Sequence, residues 1–221
     1  FMDSALEVQP ADVWRYWLMA NTPESSDSDF GWSQFAAQVN KDLVGVYGNF
    51  VNRVVKFTLS KLGADVPAGG APGEREHQLC ASLDARIAEL GRHFDDVAFR
   101  KALQELRAIW TEANTYLADT APWSAIKTDR DRAACVVRTA LNLARVLAIL
   151  SAPVMPVTST KILDDLRVPA DARAWPTRPM AEELTTLPAG HAFVDGGLLF
   201  GKIEDAQVAE WAADVAGQPA D

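Results

Sequence analysis

Val39, Leu43, Val46, Phe50, Val54 and Phe57 recur at steps of three and four along the chain. That spacing predicts one long amphipathic helix over residues 33–62, with Ser33 as its N-cap and Gly63 closing its far end. Gly45 and Gly48 lie inside it. Each costs about 1 kcal/mol against Ala in a helix, so the pattern predicts the close approach of another helix there or, less often, of a ligand backbone. Residues 66–73, rich in Pro, Gly and Ala, read as a loop. Helical periodicity returns at 75–92 and 95–118. Residues 132–150 are apolar around most of the circumference, which predicts the buried central helix. Pro153 and Pro156 break that run, and a shorter helix continues to about 167. Beyond it the texture changes: 168–192 is loose and Pro-rich, 198–200 fits a short strand, and 204–216 reads as a terminal helix. At the other end Pro10 opens a helix bearing Trp14 and Trp17, followed by a polar turn over 21–30. The predicted class is all-α: a helix bundle over 33–167, a linker segment over 1–32, and a tail over 168–221 with a short strand and a helix. No internal repeat or low-complexity tract interrupts this reading.

Chemistry concentrates in two places. Asn49 and Arg53 stand four residues apart, so an amide and a guanidinium share one helix face. The segment from Asn114 to Lys127 ends one helix and, through Pro122, starts another with Trp123 at its mouth. Amide and guanidinium donors beside an indole suit an unpaired nucleotide, whose edge takes hydrogen bonds and whose face stacks. Each residue also has an ordinary reading. A lone Arg on a helix is usually solvated or salt-bridged, a mid-helix Asn bonds nearby backbone, and a Trp after Pro is often a core plug. Lys127 either meets phosphate or snorkels into water. Asn114 and Tyr116 read as structural, packing and capping the helix end.

Charge changes the picture in one respect. A net charge of −9 argues against nucleic acid. Between residues 34 and 62, however, Lys41, Arg53, Lys56 and Lys61 face only Asp42, while the acids gather at 74–96, 182–183 and 204–221. This balance argues against indiscriminate nucleic-acid binding and leaves open a directed contact by a basic strip. No apolar run reaches the roughly eighteen residues of a membrane span, so none is expected, and no basic-then-apolar leader is present. Cys80 and Cys135 are isolated, as expected of two buried thiols in a reducing cytoplasm. His77, His93 and His191 lack metal-ligand spacing, and each reads as a surface or capping residue. No phosphate-binding loop, dinucleotide fingerprint or nucleophile elbow occurs. Opening at Phe1 rather than Met, the chain reads as a fragment or processed product.

With their flanks, these segments resemble the anticodon-binding region of methionyl-tRNA synthetases. Pro10-Ala-Asp…Trp14-Arg and Pro23-Glu-Ser-Ser-Asp-Ser-Asp-Phe30 are similar to the segment after that family's KMSKS loop. Val39-Asn-Lys-Asp-Leu43 and Gly48-Asn-Phe-Val-Asn-Arg53 resemble its first anticodon-domain helix. Ala113-Asn-Thr-Tyr-Leu117, Ala121-Pro-Trp123 and Lys127 resemble its second reading element. Pro153-Val-Met-Pro156 and Leu199-Phe-Gly-Lys-Ile-Glu-Asp205 follow in the family's order. The resemblance runs from Pro10 to about Val208, although Pro-x-Met-Pro alone also occurs in other class I synthetases. It implies the all-α anticodon-binding bundle, with Asn49 and Arg53 on the first anticodon base, cytosine, Trp123 stacking in the anticodon, and Pro122 orienting the indole. Lys127 is a weaker candidate. It also implies a stem-contact region at 1–32, a tail packing back toward a catalytic domain upstream of Phe1, and a cytoplasmic ATP-dependent ligase. The implied partners are methionine tRNA, through its anticodon loop, and that catalytic domain, with neither DNA nor membrane. HIGH-like and KMSKS-like sequences are absent, so ATP with Mg, and the structural zinc of many members, are expected in the catalytic domain. The chain alone is expected to activate no amino acid. The alternatives are the equivalent domain of a valine, leucine, isoleucine or cysteine synthetase, or a helical protein-interaction module that binds no RNA.

Overall fold

In the computed structural model, which describes residues 2–24 and 29–216, helices α1 (Met2–Val8) and α2 (Ala11–Ala20) precede one continuous helical rod. The rod runs from α3 (Trp32–Gln38) through a π-helical stretch (Val39–Gly48) into α4 (Asn49–Lys61). It starts one residue before Ser33, with extended Gly31 in the N-cap place and no side-chain cap. Gly63 closes the far end with φ +111°, a backbone state open to glycine. Both internal glycines fall in the π stretch. A Cβ on Gly48 would lie 2.9 Å from the Leu43 carbonyl oxygen and 3.1 Å from the Phe200 ring. The close neighbour is therefore a tail side chain rather than another helix. The middle of the polar turn, residues 25–28, and residues 217–221 lie outside the described residues.

α5 (Glu74–Asp95) and α6 (Phe99–Thr120), joined by residues 96–98, pack as a hairpin. After the short α7 (Pro122–Ala125) comes α8 (Arg130–Ser151), in which every residue from 133 to 151 except Arg138 is buried. By length and composition alone α8 could cross a membrane. With 94% of its apolar window buried inside the bundle, it serves as the core helix. α9 (Pro156–Asp165) has no cap of its own. Asp12 of α2 supplies one, accepting from the Thr158 N–H at 2.6 Å. Three residues on, Arg15 donates to the carbonyls of Val154 (2.8 Å) and Pro153 (2.9 Å). α2 thus grips both sides of the Pro153–Pro156 elbow, and Trp14 stacks on Phe35 with centroids 4.5 Å apart.

The tail carries a 3₁₀ turn (Ala170–Ala172), then α10 (Met180–Glu183) and α11 (Asp205–Ala216). The expected strand at 198–200 is absent; among the described residues the β pairing is a single bridge, Asp65 to Ala192. Residues 198–200 make no backbone–backbone hydrogen bond among the described residues, and the tail main chain on either side is tied to the bundle by two amides instead of a strand. Asn40 exchanges both hydrogen bonds with the main chain of Ile203 (2.7 and 2.8 Å), and buried Asn142 does the same for Leu187 (3.0 and 2.6 Å). Phe200 and Ile203 are then free to insert into the core. Cys135 is buried as expected, but Cys80 is only half-buried. Burial pushes both thiols above their ordinary pKa.

Glu76 knots α5, α6 and α8 together. Its carboxylate, 2% exposed, accepts from Tyr116 Oη (2.6 Å), both ends of the Arg132 guanidinium (2.7 and 2.8 Å) and the Gly73 N–H (2.8 Å). Burial alone would raise its pKa, but these donors together bring it down to about 2. Its share of stability is therefore whole above the ordinary carboxyl value of 4.5 and is lost as pH falls through about 2. The gap in melting temperature between the wild type and Glu76→Gln is expected to be wide at pH 6 and to shrink toward pH 2. A gap that does not change with pH would mean that the charge contributes nothing.

Candidate nucleic-acid interface

The site is made where the foot of α4 meets the turn between α6 and α7. Pro122 disfavours a right-handed helical state in the residue before it, and Ala121 sits at φ 37°, ψ 61°. A left-handed alanine costs about 1–2 kcal/mol. The cost is accepted because the turn buries Pro122 as the first residue of α7 and brings Trp123 against α4. Pro122 has no N–H to leave unpaired at that position.

Arg53 lies over the Trp123 ring, its guanidinium carbon 4.5 Å from the centroid. Among the described residues the guanidinium makes no hydrogen bond or ion pair, so its donors are uncommitted. The indole is half-buried, combining the two readings open from sequence: it packs against the core and walls a small apolar hollow together with Val54, Phe57, Leu117, Val137 and Ala140, and its face carries Arg53. Asn49, one turn before Arg53, reaches Asn114 of α6, Nδ2 to Oδ1 at 3.5 Å. Asn114 is thus a member of the site that sequence reasoning treated as structural only. Its partner lies 65 positions away, and no local signal links them. Tyr116, by contrast, is a buried packing residue. Lys127 is exposed on the turn after α7, with no side-chain partner among the described residues.

The electrostatics favour an anion more than the sequence suggested. Lys41, Lys56 and Lys61 are exposed. Asp42, the one acid in that stretch, is turned inward, 2% exposed, held by Tyr16 Oη and Arg107, each at 2.9 Å. It does not offset the strip at the surface. Of the histidines, His77 is exposed, His93 pairs with Glu89, and His191 bonds the Leu166 carbonyl at the end of α9. No three His, Cys, Asp or Glu side chains among the described residues are grouped as a metal would require.

Residues 66–220, over half of the chain, match the family described as the anticodon binding domain of methionyl tRNA ligase. The chain belongs to that family. Residues 1–55 match a second family, the class I tRNA synthetases for methionine, so Asn49 and Arg53 fall in one match and Trp123 in the other. The methionine–tRNA ligase of Caulobacter sp. (strain K31) is 52% identical over 211 residues, covering 96% of this chain and 37% of that one. That of Ruegeria sp. (strain TM1040) is 50% identical over 217 residues, 98% of this chain and 37% of the relative. The apo crystal structure of Mycobacterium tuberculosis methionyl-tRNA synthetase superposes with a TM-score of 0.81 at 25% identity, over 91% of this chain and 40% of that one. The chain therefore spans a little over a third of the length of these curated relatives.

Proposed function

We propose that this chain reads the anticodon of methionine tRNA as the anticodon-binding part of an ATP-dependent methionine–tRNA ligase working in the cytoplasm. The observation that carries the reading is an uncommitted guanidinium lying on an indole, with an amide one helical turn away. Arg53 and Asn49 take the Watson–Crick edge of cytosine, Trp123 stacks on a base, and Pro122 holds the indole in place. Arg53 covers the ring face in this structure, but a cation–π contact at an accessible site is worth about 0.5–1 kcal/mol. Base stacking on an aromatic side chain is worth about 1–3 kcal/mol. An incoming base therefore displaces the guanidinium from the ring and meets its donors along the edge. In this reading the exposed Lys56 and Lys127 support the phosphates.

In this reading residues 1–32 form the stem-contact region, 33–167 the anticodon-binding bundle, and 168–221 a tail facing the catalytic domain. That domain holds ATP with Mg, and zinc where present.

The test is filter binding of the chain to methionine tRNA and to a transcript with uridine in place of cytidine at the first anticodon position. Arg53→Gln should lose about 1–3 kcal/mol of the discrimination for cytosine, with the fold kept, because Arg53 makes no hydrogen bond or ion pair among the described residues. Affinity should fall with added salt as phosphate contacts release counterions. An unchanged preference would remove Arg53 from the site. Absence of any tRNA binding would favour the protein-interaction module.

A further inference from the structure

We propose that Asn114 decides which pyrimidine the site accepts, by fixing the Asn49 amide with its oxygen outward. The inference rests on the anticodon reading above and adds to it the origin of the choice between cytosine and uracil.

The Asn114 amide nitrogen donates to two main-chain carbonyls, Val46 at 3.1 Å and Trp110 at 3.0 Å. Carbonyls only accept, so the nitrogen is fixed on that side and Oδ1 faces Asn49. An amide oxygen also only accepts, so Asn49 turns its NH₂ toward it. Asn49 Oδ1 is left pointing elsewhere, with no hydrogen bond among the described residues. The lock is anchored in the core. Val46 lies in the π-helical stretch leading into α4, the kind of irregularity that recurs at functional sites. Trp110 is fully buried, stacked on Tyr47 at 4.6 Å, with its indole N–H on Ser151 at 3.2 Å.

The site therefore offers one outward acceptor on Asn49 and, one turn along, the donors of Arg53. Cytosine presents the complement, a 4-amino donor beside the N3 and O2 acceptors. Uracil presents an O4 acceptor and an N3–H donor, which meet Asn49 Oδ1 and Arg53 like to like. Were Asn49 free to flip, its NH₂ would suit O4 and the preference would weaken. Asn114 is on this account a positioning residue, acting through Asn49 without touching the base.

The experiment compares methionine tRNA transcripts carrying cytidine, uridine or the 4-deamino analogue pyrimidin-2-one ribonucleoside at the first anticodon position. They are titrated against the wild type, Asn114→Ala, Asn49→Ala and the double variant. Wild type should favour cytidine over both others. Asn114→Ala should cut the cytidine-over-uridine ratio about tenfold and make removal of the 4-amino group nearly without effect. The double variant should discriminate no worse than either single one. If the alanine variant does not fold, Asn114→Ser serves: its hydroxyl can still bond the Trp110 carbonyl one turn back but is too short to hold Asn49. Equal weakening toward cytidine and uridine, or losses that add in the double variant, would show Asn114 to be structural only and overturn the proposal. A wild type indifferent to the base would instead overturn the anticodon reading itself.

Discussion

Trp123→Ala is expected to weaken the binding of methionine tRNA by about ten- to a hundredfold and to lower folding stability by about 2 kcal/mol. The two losses have separate causes. A base stacked on the indole contributes about 1–3 kcal/mol, and the alanine variant loses that together with the surface on which Arg53 rests. Truncating a fully buried Trp costs about 3–5 kcal/mol. Here the ring is only half-buried, packed against the core at the edge of a small apolar hollow, so roughly half of that range applies. Trp123→Phe separates the effects: a smaller ring still packs against the same core residues, so stability should largely return while stacking is only partly restored. Thermal melts followed by circular dichroism, with filter binding well below the transition, measure both. A large fall in melting temperature with unchanged affinity of the folded protein would make Trp123 a core residue and remove the stacking platform from the proposal.

The residues explain why some of this could be read from the sequence and some could not. Steps of four and three from Val39 to Phe57 place an amphipathic helix, and Asn49 and Arg53 on one of its faces, because helix geometry is local. The same steps do not distinguish an α from a π register over ten residues, so the π stretch was invisible. α8 announced itself by its apolar circumference, yet the sense of Asn142 and Arg145 within it depends on Leu187 and Glu183, some forty positions on. Leu198 to Phe200 looked like a strand because a short apolar run carries no sign of what will pair its backbone, and an amide does so nearby. The meeting of Trp123 with Arg53 follows from the direction of the turn at Ala121. A left-handed alanine is a tertiary outcome that local preference argues against. Asn114 was missed for the same reason as Asn142: an amide declares its role only when its partners are in place.

Arg145→Ala is expected to be the most destabilising single change, at about 3–5 kcal/mol. Arg145 is 1% exposed in the middle of α8. It donates to the carbonyls of Ala172 (2.7 Å) and Glu183 (3.2 Å), to Thr186 Oγ1 (3.1 Å), and to the Glu183 carboxylate. Burial alone would raise the Glu183 pKa, but Arg145 and Arg178 hold it below the ordinary carboxyl value. Alanine removes the buried cation and leaves the carboxylate to Arg178, which pairs with it at 3.0 Å from a half-exposed position. It also leaves two tail carbonyls without their donor, and each buried unsatisfied group costs about 1–3 kcal/mol. The damage should appear first in the tail, as faster amide exchange and proteolysis over 168–192, because α8 holds that segment by side chains rather than by a strand ladder. Converting the pair together, with Arg145→Met and Glu183→Gln, should cost less than Arg145→Ala alone, since no buried charge is then orphaned. If Arg145→Ala melts within about 1 kcal/mol of the wild type, the tail is held by its apolar residues and the buried pair adds little.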